Sequence, residues 1–275
     1  MFSGYGFFDY KYNIPGYAGQ DYQGMGRYLY MGVSLALLLG LSLFFAFRKP
    51  EKEKIVWYLR IAAIAFTASY IIKTIWESYF DIATGRGFNW GLLPLDTCSI
   101  VMPACFLAGF GKGKFKEIGE AWLVTGAIVG GLSNLLFLQA LKYYPFFTFG
   151  AFYSMLWHFF MVFTGLFLWV TRYVKPRWII IVYAMILHTA VSLIAIPLNY
   201  AYNWDFMLYR YAGGIPLFEG IADRIRAGRA PWLVTPMVYG LYIAIFACLT
   251  ALAKGDGALM GAIQKKKEST EEEPR

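Results

Sequence analysis

RWIIIVYAMILHTAVSLIAIPLNY, residues 177–200, carries a charge at its first position and none after it. At about 1.5 Å per helical residue such a run crosses the roughly 30 Å of hydrocarbon in a bilayer. Working outward, comparable apolar runs stand at 28–47, 55–80, 92–111, 118–141, 147–171 and 233–253. None alternates apolar with polar residues as barrel strands do. A spanning segment must satisfy its backbone polar groups internally, so these are read as helices. Composition agrees. Hydrophobic residues make up 59% and charged residues 15% of the chain, against about 45–50% and about 25% in soluble domains. The reading is an all-α polytopic transmembrane bundle with seven spans.

The charges collect between the runs. Arg48, Lys49, Lys52 and Lys54, then Lys112, Lys114 and Lys116, then Arg172, Lys175 and Arg177 fall on one side. The tail with Lys254, Lys265, Lys266, Lys267 and Arg275 falls there too. The opposite side carries the sparser set Lys11, Arg27, Arg86, Lys142, Arg210, Arg224, Arg226 and Arg229. By the positive-inside rule the short basic loops are cytoplasmic, the N-terminus is outside and the C-terminus is inside. The net charge of +8 follows from this topology and does not indicate nucleic acid. The expected layout is an extracytoplasmic segment 1–27 without a cleaved signal peptide, a transmembrane domain 28–254 and a disordered cytoplasmic tail 255–275. Residues 201–232 form either an outer cap or, over 216–228, an interfacial helix. A cell-membrane location follows. Inverted repeats are not evident, which gives transporters built on them little support.

Polar groups inside spans are costly and each needs a reason. His158 and His188, the only two histidines, lie mid-span, where an interhelical hydrogen bond is the bland reading and a site the sharp one. In Leu93-Pro94-Leu95-Asp96-Thr97-Cys98-Ser99, Pro94 and Asp96 mark a helix start with Asp96 as cap. Cys98 then sits in a first turn, where the helix dipole favours a thiolate and the carboxylate of Asp96 opposes it. Cys105 and Cys248 read as small hydrophobes, and no cysteine spacing suggests zinc or a disulfide framework. Lys73 and Glu77 share a helix face. Either they pair inside the bundle beside Asp96 and Cys98, or Lys73 snorkels outward and Glu77 caps its helix. Asn134, Gln139 and Asn199 are candidate interhelical donors or cavity-lining groups. Gly126, Gly130 and Gly131 suggest close helix packing. The glycines at 109, 111 and 113 follow no strand and read as a turn rather than a phosphate loop. The last span lacks a lysine for a retinal Schiff base, and neither a metal nor another cofactor is expected.

The run 93–100, LPLDTCSI, resembles the LPLHLCSI-type signature of the YwaF-like integral membrane proteins. A Tyr-Pro-Phe-Phe stretch at 144–147 precedes the span with central His158. The sixth span ends in Asn199-Tyr200 and is followed by Phe206-Met207-Leu208, in the order that family shows. The resemblance covers roughly residues 28–255. That family looks related to a vertebrate transmembrane acyltransferase that remodels ether-linked phospholipids through a cysteine acyl-enzyme. More distantly it is similar to the androgen-induced-gene type of fatty-acid ester hydrolases. The resemblance implies Cys98 as acyl acceptor and His158 as general base, with membrane lipids as partners. It departs at Asp96, where the signature carries His.

Three functions follow as expectations: a lipid acyl-transfer or acyl-ester-hydrolysing enzyme using Cys98 and His158, a transporter or lipid-binding protein using the same cavity, and a haem protein with His158 and His188 as axial ligands. For the first, Cys98 lies about five or six residues into its span and His158 about eleven. This offset of roughly 8 Å requires helix tilt or a re-entrant start to the third span. The topology has a direct check: reporter fusions at Gly113 and Glu272 are both expected to read cytoplasmic, and an external signal from either ends the seven-span orientation.

Overall fold

The computed structural model describes residues 6–10, 24–137, 144–212, 216–228 and 230–271. Among the described residues there is no strand, and seven segments are long and apolar enough to cross a membrane. They are Met25–Arg48, Lys52–Ala83, Trp90–Phe110, Gly113–Phe137, Phe149–Val170, Ile179–Tyr202 and Pro231–Gly255, one over each predicted run. Gln139, Lys142, Arg229, most of segment 1–27 and residues 272–275 lie outside the described residues.

The first two spans are the continuous helices α1 (Met25–Arg48) and α2 (Lys52–Ala83). The third differs from the single helix the sequence predicts. It begins with two 3₁₀ turns, Trp90–Leu92 and Thr97–Ile100, and only then becomes α3 (Val101–Phe110). The reason is local. Pro94 disfavours the helical region for its predecessor, and Leu93 is extended at φ −63°, ψ 141°. Asp96 is also extended, so the chain enters the bundle unwound. The fourth span comprises α4 (Gly113–Trp122), a π-helical turn (Leu123–Ala127) and α5 (Ile128–Phe137).

The remaining spans are α6 (Phe149–Val170), α7 (Ile179–Tyr202) and the membrane part of α9 (Val234–Glu271). Helix α9 continues to Glu271, past the point where composition predicts a disordered tail. Between α7 and α9, segment 203–212 turns back onto the bundle, and the amphipathic α8 (Pro216–Ala227) follows it. Asn203 closes α7 in the left-handed conformation that asparagine tolerates.

Helix α6 packs closely on α1 and α5 and more loosely on α2. Its approach to the fourth span depends on missing side chains. A Cβ at Gly131 would stand 2.5 Å from Val162 Cγ2 and 2.8 Å from the His158 carbonyl oxygen. One at Gly165 would stand 2.5 Å from the Leu123 carbonyl oxygen. Of the three glycines expected to permit helix packing, Gly131 alone does so in this direct way. Gly126 instead makes room for the ring of Trp122 in its own span, 2.5 Å from an added Cβ. Gly130 meets nothing nearer than 3.5 Å.

Overpacking at such a contact costs about 1–3 kcal/mol. Gly131→Val is therefore expected to lower the melting temperature in detergent clearly. Gly40→Ala, in α1 with nothing within 4 Å of the added carbon, should leave it nearly unchanged. Equal melting of the two variants would contradict the close α5–α6 approach.

Candidate functional site

At the end of the bundle where the third span unwinds, a cavity of about 300 Å³ opens between the 3₁₀ turn, α5, α6, α9 and segment 203–212. Of the polar residues singled out in the sequence, Asp96, Cys98, Asn134 and His158 border it. The rest of its wall is largely apolar, with Phe137, Val238, Leu241 and Ile245 among the lining groups. Gly130 also lines it, and the lack of a side chain there leaves room.

Cys98 is carried by the 3₁₀ turn, whose first bond runs from the Ser99 N–H to the Asp96 carbonyl at 2.9 Å. Asp96 occupies the cap position, but its carboxylate makes no capping bond, contrary to the expectation from sequence. It lies against the backbone amide of Met207, with Lys73 and Asp205 among the charges acting on it. Met207 and Leu208, which form part of the cavity wall, both have positive φ, 57° and 62°. Such conformations are costly for side-chain-bearing residues and persist where surroundings hold them.

His158 is buried in the middle of α6. Its Nδ1 is 2.6 Å from the Ser154 carbonyl oxygen one turn back. A carbonyl only accepts, so this contact requires the proton on Nδ1. The lone pair is then on Nε2, the nitrogen left for the cavity. The unwound entry is what lets Cys98, early in its span, share a cavity with a histidine deep in another.

Lys73 and Glu77 turn inward and pair at 2.9 Å, with Glu77 only 1% exposed. The Tyr144 hydroxyl donates to the same carboxylate. This ion pair stands behind the unwound segment and does not line the cavity. Its ammonium is among the charges acting on Asp96, Cys98 and His158.

Asn199 and His188 are elsewhere. The Asn199 side chain clamps the backbone of Phe206, donating to its carbonyl and accepting from its N–H, both at 2.8 Å. His188 Nε2 meets the Tyr209 hydroxyl at 2.9 Å, and that hydroxyl also meets Ser192 Oγ at 2.7 Å. The His188 ring packs 4.2 Å from that of Tyr242. Both residues anchor segment 203–212 and neither borders the cavity. The bis-histidine haem expectation is corrected accordingly, since His188 Nε2 is engaged away from the space that His158 borders. Among the described residues no three of His, Cys, Asp or Glu are grouped to hold a metal ion.

Sequence reasoning missed Thr97 and Tyr242, whose hydroxyls meet at 2.7 Å and join the 3₁₀ turn to α9. The Tyr242 hydroxyl also reaches the Met207 carbonyl at 3.4 Å. A tyrosine in the middle of an apolar span was the available signal, hidden by the many tyrosines at span ends. Ser154, through its carbonyl alone, carried no signal.

A model of the TMEM164 family matches residues 22–252. No curated protein and no solved structure matches the chain.

The two bonds of Asn199 to Phe206 hold the segment that closes the cavity. Removing one buried partner leaves backbone groups unpaired at about 1–3 kcal/mol each. Asn199→Ala is expected to raise the rate of limited proteolysis within 203–212 severalfold without unfolding the bundle. An unchanged cleavage rate would mean that the clamp does not hold the segment.

Proposed function

The chain belongs to the TMEM164 family of multi-pass membrane proteins, and on that premise we propose that it transfers or hydrolyses lipid acyl groups through Cys98 and His158. The observation that supports this reading is that Cys98 and His158, whose lone pair is on Nε2, border one largely apolar cavity. The likeness of LPLDTCSI to the YwaF-like signature, and through it to an ether-phospholipid acyltransferase, adds to it.

In the proposed reaction the thiol proton of Cys98 passes to His158 Nε2 and Sγ attacks the ester carbonyl of a lipid. The carbon–oxygen ester bond breaks, the alkoxide leaves with the proton from His158, and a thioester remains on Cys98. His158 then takes a proton from a second alcohol or from water, which attacks the thioester and regenerates the thiol. The Ser154 carbonyl holds the imidazole in the tautomer this requires. The apolar wall suits a lipid chain better than a polar solute, which favours lipid chemistry over polar-solute transport. By the loop charges the site opens toward the outer side, with the protein in the cell membrane.

Cys98→Ala and His158→Ala are each expected to abolish lipid-acyl turnover. The double variant should be no worse than either single one, because residues acting as a unit lose function together. A thiol-directed acyl probe should label the protein at Cys98 and not after Cys98→Ala. Turnover retained by Cys98→Ala would overturn the cysteine mechanism. Absence of both labelling and turnover would favour a non-enzymatic lipid-binding protein.

A further inference from the structure

Few side chains offer hydrogen bonds to the cavity that Cys98 and His158 border, and most of these are already committed. The Thr97 and Tyr242 hydroxyls meet each other at 2.7 Å, and Tyr242 also reaches the Met207 carbonyl at 3.4 Å. Ser133 gives its proton to the Gly130 carbonyl at 3.0 Å. His158 holds its Nδ1 proton on the Ser154 carbonyl at 2.6 Å. The Asp96 carboxylate is an acceptor and already takes the Met207 N–H.

Asn134 is the exception. It is half-buried in α5 and borders the cavity, and its side-chain amide has no hydrogen-bond partner among the described residues. Nor is the amide sealed into the packing. The orphan polar atoms that are closed off lie on other groups, such as Ser42, Tyr153 and Nδ1 of His188. A polar residue in a span usually bonds across to another helix, and that bond is missing here. Two N–H groups therefore remain for whatever enters the cavity.

The placement of Asn134 follows from its helix. Gly130 stands one turn earlier on the same face of α5. A Cβ at Gly130 would lie 3.8 Å from Thr97 Cγ2 and 3.5 Å from Met161 Cε. This face thus looks between the 3₁₀ turn that carries Cys98 and the helix that carries His158.

Resting on the acyl chemistry proposed above, we infer that Asn134 is a further catalytic residue, its amide N–H donating to the carbonyl oxygen of the acyl group that Cys98 attacks. As Sγ bonds to the carbonyl carbon, the π pair moves onto oxygen and creates an oxyanion. In a largely apolar cavity that charge needs a donor already in place. The π bond re-forms when the ester carbon–oxygen bond breaks, and the alkoxide leaves with the proton from His158. Asn134 neither gains nor loses a proton. The same donor serves again when an alcohol or water attacks the thioester.

The test uses the full chain in detergent micelles with p-nitrophenyl dodecanoate as acyl donor. Release of p-nitrophenolate reads the acylation rate, and mass spectrometry locates the thioester on Cys98. Iodoacetamide is used in parallel, because a thiol displaces its iodide without forming an oxyanion. Asn134→Leu keeps the bulk of the side chain and removes the donor. It is expected to slow acylation about a hundredfold and to leave the alkylation rate at Cys98 and the melting temperature as in the native chain. Asn134→Ala should lose as much, which separates a missing donor from a blocked cavity.

Native acylation rates in both variants would overturn the inference. Equal slowing of acylation and alkylation would overturn it in favour of a residue that only positions Cys98. A native chain that forms no thioester on Cys98 would overturn the Cys98–His158 reading itself, and the role of Asn134 with it.

Discussion

A backbone amide or carbonyl in hydrocarbon has no water to turn to, and this protein places an unwound stretch, Leu93–Asp96, inside its bundle. That stretch must be satisfied by protein on every side. The Leu92 carbonyl takes the Tyr70 hydroxyl of α2 at 2.8 Å. The Leu95 N–H turns to the Leu93 carbonyl at 2.8 Å. Asp96 lies against the Met207 amide, and Thr97 meets Tyr242 of α9. Irregular backbone at membrane depth is tolerated where protein covers it or where it lines a cavity; here Asp96 lines the cavity, Leu93 and Leu95 are half-buried, and the exposed Pro94 has no N–H to satisfy. The candidate site exists because Pro94 prevents a helix and three neighbouring elements cover the result.

The covering segment is held with comparable care. Asn199 fixes the Phe206 backbone, His188 and Ser192 fix Tyr209, and the Asp205 carboxylate accepts the N–H groups of Arg210 and Tyr211. These contacts oppose the cost of left-handed backbone at Met207, Leu208 and Ala212. Intramembrane polar residues that read as possible site groups are thus divided by role. Those on α5, α6 and the 3₁₀ turn border the cavity, and those on α7 support its lid. Periodicity could not separate the two sets, since each consists of polar residues in apolar helices.

Helix α6 also borders a second groove, which lies between it and α2, on a different face from the cavity. Residues three or four apart on a helix share a face, whereas neighbours in sequence point about 100° apart, so Trp157 and His158 look into different spaces. The glycine contacts at Gly131 and Gly165 set how closely α6 approaches the fourth span. The wider separation from α2 leaves the second groove.

The amino-acid sequence by itself determined the solvent, the number of spans and nearly all of their limits, because span length and the exclusion of charge follow from bilayer thickness and dielectric. It also singled out Asp96, Cys98 and His158, since a histidine in hydrocarbon and a cysteine after a proline break are conspicuous locally. Only the tertiary structure decided that Cys98 and His158 border one cavity, that the Asp96 carboxylate makes no capping bond, that His188 and Asn199 serve the lid, and that Tyr242 belongs to the wall. Those facts depend on which faces of distant helices meet and on side-chain hydrogen bonds between segments far apart in the chain. No local pattern encodes such pairings, because the partner is supplied by packing and not by spacing.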